Sequence, residues 1–390
     1  MFYNYLITAL RYLALIVFVF ATPAFGAPAL WGDLKPGSNA VGYRVIYAFD
    51  KSRTWHLPVD ALGRPVRVSI WYPAAKKGRA MRIADYIRNE APDTFKDAEA
   101  DLEKRDASVT KEWAPASAVA DLMKAQLIAS RNAPEAKGKF LLLIYSSGIN
   151  PYTEANLVMA EYLASHGFVI ATVASLGEDE AHPEQNTNNA ELETDARDLE
   201  FAWSLLRGQP NVAGPSFGTF GHSLGGVVAL MLATNNHNFG AVAGLDGSYG
   251  FSDVRAMLTS SYRYAPQNMN AALLDIRRKV DGVNLKPDDV DLSIPESFGH
   301  SDRYFISLPD MFHGDFTSFG MGAAAFHESV PPNARPGWTQ KIGADGYQFV
   351  CRTVLDFFEA RLKGDNLAAQ RLEADLKDPI AATSRYLPKQ

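Results

Sequence analysis

The feature that most limits how this chain can fold is a rhythm beginning near residue 140. Short, nearly continuous apolar runs there alternate with segments that carry apolar residues at helical intervals. A strand buried on both faces reads as an unbroken apolar run, and such strands joined by helices form a mostly parallel sheet flanked by helices. Four runs comply, at 140–145, 168–173, 217–220 and 241–245, with helices predicted over 154–166, 191–207 and 224–234. Gly167 stands where the first of these helices needs a left-handed closing residue. The segments 271–276 and 303–308 are candidates for the last strands, and 347–362 for a closing helix. Further upstream, VRVSIWY at 66–72 is β-branched and aromatic and is stopped by Pro73, which predicts a strand paired with another near 43–47. Residues 79–136 are charged and Ala-rich with helical spacing over 118–128, and predict a helical insertion; a second insertion is expected at about 250–300. The reading is one α/β domain over 27–390.

At 47% hydrophobic and 21% charged residues, the chain can bury a sizeable core. Its formal charge of −6 comes without a basic block or an interleaved basic and aromatic stripe, which argues against a nucleic-acid partner. Residues 1–26 read as a cleaved signal peptide: Arg11 precedes an apolar run at 13–20, and small residues follow near 24–26. The run is short for a membrane span, so a secreted or periplasmic protein is expected, with contact to a membrane surface left open. The one cysteine, Cys351, has no internal disulfide partner and is expected to be a structural thiol in the last helix.

The segment GTFGHSLGGVVALMLAT, 218–234, sets G-x-S-x-G between a short strand and an apolar helix. That context defines a nucleophile elbow of the α/β-hydrolase kind, in which small residues let a strained serine stand above the sheet. Ser223 is therefore the candidate nucleophile. Gly214-Pro215-Ser216-Phe217-Gly218 satisfies the same pattern seven positions earlier, but Ser216 is expected before the strand and has no helix after it.

A serine hydroxyl needs a base, and in this fold the histidine comes after the last strand. His56, His166, His182, His222 and His237 come too early, leaving His300, His313 and His327. His313 follows the strand-like RYFISL and a turn, and is preferred. The acid that orients it should end a strand between the other two, as Asp246 does, with Asp275 and Asp281 as alternatives one strand later.

Four stretches together resemble the platelet-activating-factor acetylhydrolase group of the α/β-hydrolases and, in fold, the dienelactone-hydrolase-like proteins. They are RPVRVSIWYPA at 64–74, GHSLGG at 221–226, GLDGSYGF at 244–251 and FHGDFTSF at 312–319. The resemblance implies Asp246 as acid and His313 as base. It also implies an oxyanion hole of two main-chain N–H groups, from Leu224 and from Ile149 in the loop after a central strand. The family has a His-Gly pair in that loop, whereas this chain reads Ser147-Gly148. Dienelactone hydrolases proper use cysteine at the elbow, where this chain has serine. No H-E-x-x-H or similar cluster appears, so no metal is expected, and Glu178-Asp179-Glu180 with His182 reads as a polar loop above the site. The triad chemistry needs no cofactor. The expected activity is hydrolysis of small-molecule or lipid esters with a short or moderate acyl group. An amidase or peptidase, or a silent binding protein of the same fold, is the alternative. Trp113, Tyr249, Phe251, Tyr262 and Tyr264 lie in the insertions expected to roof the pocket, and none is assigned a binding role.

Overall fold

The protein is described from a computed structural model, which covers residues 29–55, 62–111, 114–148, 153–179, 187–279, 290–326 and 338–390. The expected signal peptide, His56, Trp113, Ile149, Glu180, His182, Asp281 and His327 lie outside these residues.

Ten strands form one sheet: β1 (Ala40–Asp50), β2 (Arg64–Ala74), β3 (Ser130–Arg131), β4 (Phe140–Ser146), β5 (Phe168–Val173), β6 (Val212–His222), β7 (Phe239–Leu245), β8 (Ala272–Arg278), β9 (Arg303–Leu308) and β10 (Thr383–Leu387). Their spatial order is β10-β9-β8-β7-β6-β4-β5-β2-β1-β3. The six strands from β9 to β5 are mutually parallel, as the apolar runs predict. Antiparallel β2 and β1 extend one side in the expected hairpin, and β10 closes the other as an antiparallel edge.

Eleven helices are described: α1 (Ile83–Ile87), α2 (Lys96–Thr110), α3 (Val119–Lys124), α4 (Leu157–Ser165), α5 (Asn189–Leu206), α6 (Leu224–Asn235), α7 (Ser252–Ser260), α8 (Ser293–Ser297), α9 (Ser318–Phe326), α10 (Gln340–Phe358) and α11 (Asn366–Asp375). Successive side chains of a strand point to opposite faces, so each parallel strand feeds two cores. On β4, Leu143 and Tyr145 join the core beneath α4 and α10, while Leu142 and Ile144 join the one beneath α5 and α6. Cys351 is fully buried in α10.

Among the described residues, the stretch 79–136 holds α1, α2, α3 and the two-residue edge strand β3. Helix appears where charge density is highest, in α2, whereas the stretch 118–128 is helical only over α3. Glu161 of α4, buried, fastens the stretch 79–136 by accepting from the N–H groups of Ile128 (2.8 Å) and Ala129 (2.9 Å) and from the Tyr86 hydroxyl. Burial pushes its pKa up to about 7 despite these donors. The stretch 250–300 is not one piece, because β8 runs through it between α7 and α8.

The chain passes from β4 outward to β5, then returns across β4 to β6 and continues the other way. In open α/β sheets the crevice at the carboxyl ends of such a reversal is the place for a site. Here it lies between the loops leaving β4 and β6.

Candidate active site

Ser223 stands where β6 turns into α6, at φ 59° and ψ −127°, a region in which a residue with a side chain is strained. The turn closes because its neighbours lack side chains. A Cβ at Gly221 would collide with the Gly225 carbonyl, and one at Gly225 with the Ser146 carbonyl at the end of β4. Gly148, at φ 97°, brings the loop after β4 over the elbow, where a Cβ would lie 2.8 Å from the His222 carbonyl oxygen and 3.2 Å from Ser223 Cβ. Leu224 opens α6, so its N–H has no partner in a preceding turn of helix. Ser216 lies near the middle of β6 rather than ahead of it, beside Gly240 of β7.

Asp246 follows β7 at φ 47°, and its N–H donates to the Ile276 carbonyl at 2.7 Å. Its Oδ1 accepts from Arg278 N at 3.2 Å and its Oδ2 from His313 Nδ1 at 2.5 Å, with Arg278 Nε 3.1 Å from the same oxygen. Burial alone would raise the pKa of Asp246, but the His313 hydrogen bond and the charges of His313, Arg278 and Arg277 outweigh it and bring it down to about 2. An ionised acid on Nδ1 fixes the tautomer and leaves Nε2 to receive a proton.

His313 opens the 3-10 turn His313–Phe316 after β9. Asp315, fully buried, locks that turn by accepting from Phe312 N (2.8 Å) and Trp338 Nε1 (2.9 Å). Of the other late candidates, His300 precedes β9 and so sits at the sheet's opposite edge. Asp275 is occupied elsewhere: it accepts from Arg277 Nε (2.6 Å) and Nη2 (2.8 Å) and from the Tyr249 hydroxyl. The elbow, Asp246 and His313 therefore lie at one edge of the sheet. Among the described residues the Ser223 hydroxyl bonds to Ser248 Oγ, at 3.4 Å, and not to the imidazole.

Two residues at this edge escape sequence reasoning. Ser248 lies within GLDGSYGF, but nothing in that stretch announces its contact with Ser223. His222, set aside for its early position, is buried; its Nε2–H donates to the main-chain carbonyl of His313 at 2.8 Å. Its ring centroid lies 4.4 Å from that of His313. Burial first, then the neighbouring His313, lowers its pKa to about 3, so its ring is neutral. Among the described residues no group of acidic, histidine or cysteine side chains could hold a metal ion, and no helix is long and apolar enough to cross a membrane.

No family model matches this chain, and no curated relative matches it. Among solved structures, a ferulic acid esterase from Streptomyces cinnamoneus aligns over 91% of this chain and 98% of its own, with a TM-score of 0.60 and 16% sequence identity. That likeness supports the α/β-hydrolase architecture of a helix-flanked, mostly parallel sheet.

Proposed function

We propose that this protein is a serine hydrolase of carboxylic esters. Ser223 Oγ bonds to the ester carbonyl carbon while its proton passes to His313 Nε2, and Asp246 holds the imidazolium that forms. The oxyanion is met by the Leu224 N–H and by a second main-chain donor from the loop after β4, assigned to Ile149. The imidazolium then gives its proton to the departing alcohol as the C–O bond breaks. Water, deprotonated by His313, then adds to the acyl carbon, and the imidazolium returns that proton to Ser223 Oγ as the C–Oγ bond breaks and the acid departs.

The observation that carries this reading is the 2.5 Å His313–Asp246 hydrogen bond, formed from two loops that open on the same sheet edge as the strained Ser223. The resemblance to acetylhydrolases favours short or moderate acyl groups. The structural neighbour, itself named an esterase of ferulic acid, brings aryl esters into the test set. We further propose that residues 1–26 direct export and are removed, which N-terminal sequencing of the mature protein checks. The activity is tested by labelling with a fluorophosphonate probe: the wild type labels, Ser223→Ala does not, and Ser216→Ala labels as the wild type does. A folded wild type that stays unlabelled would overturn the proposal. Turnover of a matched ester and amide then decides between esterase and amidase.

A further inference from the structure

A groove of about 660 Å³ lies away from the elbow, between the loop after β2 with α1 and the segment from α3 to β3. β2 runs antiparallel to β5, so the end of β2 lies beside the start of the parallel strands, at the edge opposite Ser223. Although the chain carries a net charge of −6, this groove is lined by Lys76, Lys77, Arg79, Arg82, Arg88, Lys124 and Arg131 against the single carboxylate of Asp85.

Few of these charges are neutralised. Arg79 is 3.7 Å from Asp85, and Lys124 is 3.4 Å from Asp121, both at exposed positions. Arg131 is spent on structure: it donates to Asn89 Oδ1 and to the Asp85 and Arg88 carbonyls and covers the Tyr43 ring. Among the described residues, the side chains of Lys76, Lys77, Arg82 and Arg88 have neither an ion pair nor a hydrogen bond.

The walls are fixed by hydrogen bonds from Ala75 N to the Pro134 carbonyl (2.8 Å), Gly78 N to Ser130 Oγ (3.0 Å) and Met81 N to the Ala129 carbonyl (2.9 Å). Like charges held together in a rigid concavity repel one another, and a bound anion relieves that repulsion. The size falls within the range of small-molecule sites, and guanidinium forks suit oxyanions. We propose that this groove is a binding site for a soluble, multiply charged oxyanion carrying clustered phosphate or sulfate groups, separate from the hydrolytic site.

The test is calorimetric titration of the purified protein with inositol hexakisphosphate. Saturable binding is expected, weakening by about tenfold or more with added salt and in the Arg82→Glu/Arg88→Glu double variant. The Lys96→Glu variant, at an exposed site paired only with Asp93, should bind as the wild type does. Absent binding, or equal loss in Lys96→Glu and the double variant, overturns the site. Ester hydrolysis and melting temperature should be unchanged in the double variant. A loss of hydrolysis there would overturn the separation of the two sites.

A different observation carries a second inference, which rests on the proposed hydrolase activity. The nucleophile strand and the base loop, 91 residues apart, are joined by the His222 Nε2–H bond to the His313 carbonyl. We infer that His222 is a positioning residue that keeps the His313 main chain in register with Ser223. Gln can supply a comparable N–H and Phe cannot. His222→Phe should lower kcat by about tenfold to a hundredfold with KM little changed, and His222→Gln should restore most of it. Wild-type kcat in His222→Phe overturns the inference, as does a Gln variant no better than Phe. Fluorophosphonate labelling of the wild type separates this failure from failure of the hydrolase reading itself.

Discussion

Two serines seven residues apart satisfy the same five-residue pattern, yet one stands just past the carboxyl end of β6 and the other inside the strand. Ser223 leaves the carboxyl end at φ 59° and enters a helix, beside the loop from β4 and in contact with Ser248 after β7. Ser216 remains inside the strand, with no helix behind it. The pattern supplies room for a tight turn, but the direction of the sheet decides whether that turn opens on anything. Ser223→Ala should therefore lower ester turnover by roughly 10⁴ to 10⁶, while Ser216→Ala leaves it unchanged. A substantial loss from Ser216→Ala would break the contrast.

The aspartates Asp246 and Asp275 sharpen it at the next level. They stand on adjacent strands, but Asp246 gives an oxygen to His313 whereas both oxygens of Asp275 are taken by Arg277, with Tyr249 beside them. Asp246→Asn should lower kcat by about 10⁴, because the imidazole loses its oriented, charge-stabilised state. Asp275→Asn should act on folding, costing about 3–5 kcal/mol in denaturant titrations by leaving a buried guanidinium unpaired. Reversal of these two effects would reassign the acid.

Strands of the parallel sheet were legible because burial on both faces leaves an unmistakable apolar run. The placing of Ser223, Asp246 and His313 after successive strands was legible because the roles proposed for them attach to strand ends in a set order. Other features carry no such mark. β10 is exposed and polar, so alternation does not reveal it, and it is read only from its pairing with β9. The inner side of α2 mixes charge with the apolar Leu102: Glu99 and Asp106, one heptad apart, meet the buried Arg67 at 2.9 and 2.5 Å. His222 escaped because its partner is a main-chain carbonyl 91 residues away, and a carbonyl has no residue type to search for.

The smallest expected effect concerns two buried carboxylates that respond to pH in opposite senses. Asp246 is held down near 2, so its contribution is present above the ordinary carboxylate range and is lost as pH falls through about 2. Glu161 is raised to about 7, so its contribution is present below about 4.5 and is lost as pH rises through 7. Between those values the unfolded chain releases this proton and the folded one keeps it. Melting temperature measured from pH 5 to 8 should accordingly fall less steeply in Glu161→Gln than in the wild type. Identical slopes would show that Glu161 is ionised throughout.

The sealed sulfur of Cys351 has a practical consequence. Burial drives its thiol well away from the thiolate that reagents require. A maleimide or disulfide reagent should thus remain idle on the native molecule and react once when α10 lifts from the sheet. With no second cysteine to compete or scramble, the rate of that single modification clocks how often this part of the molecule opens.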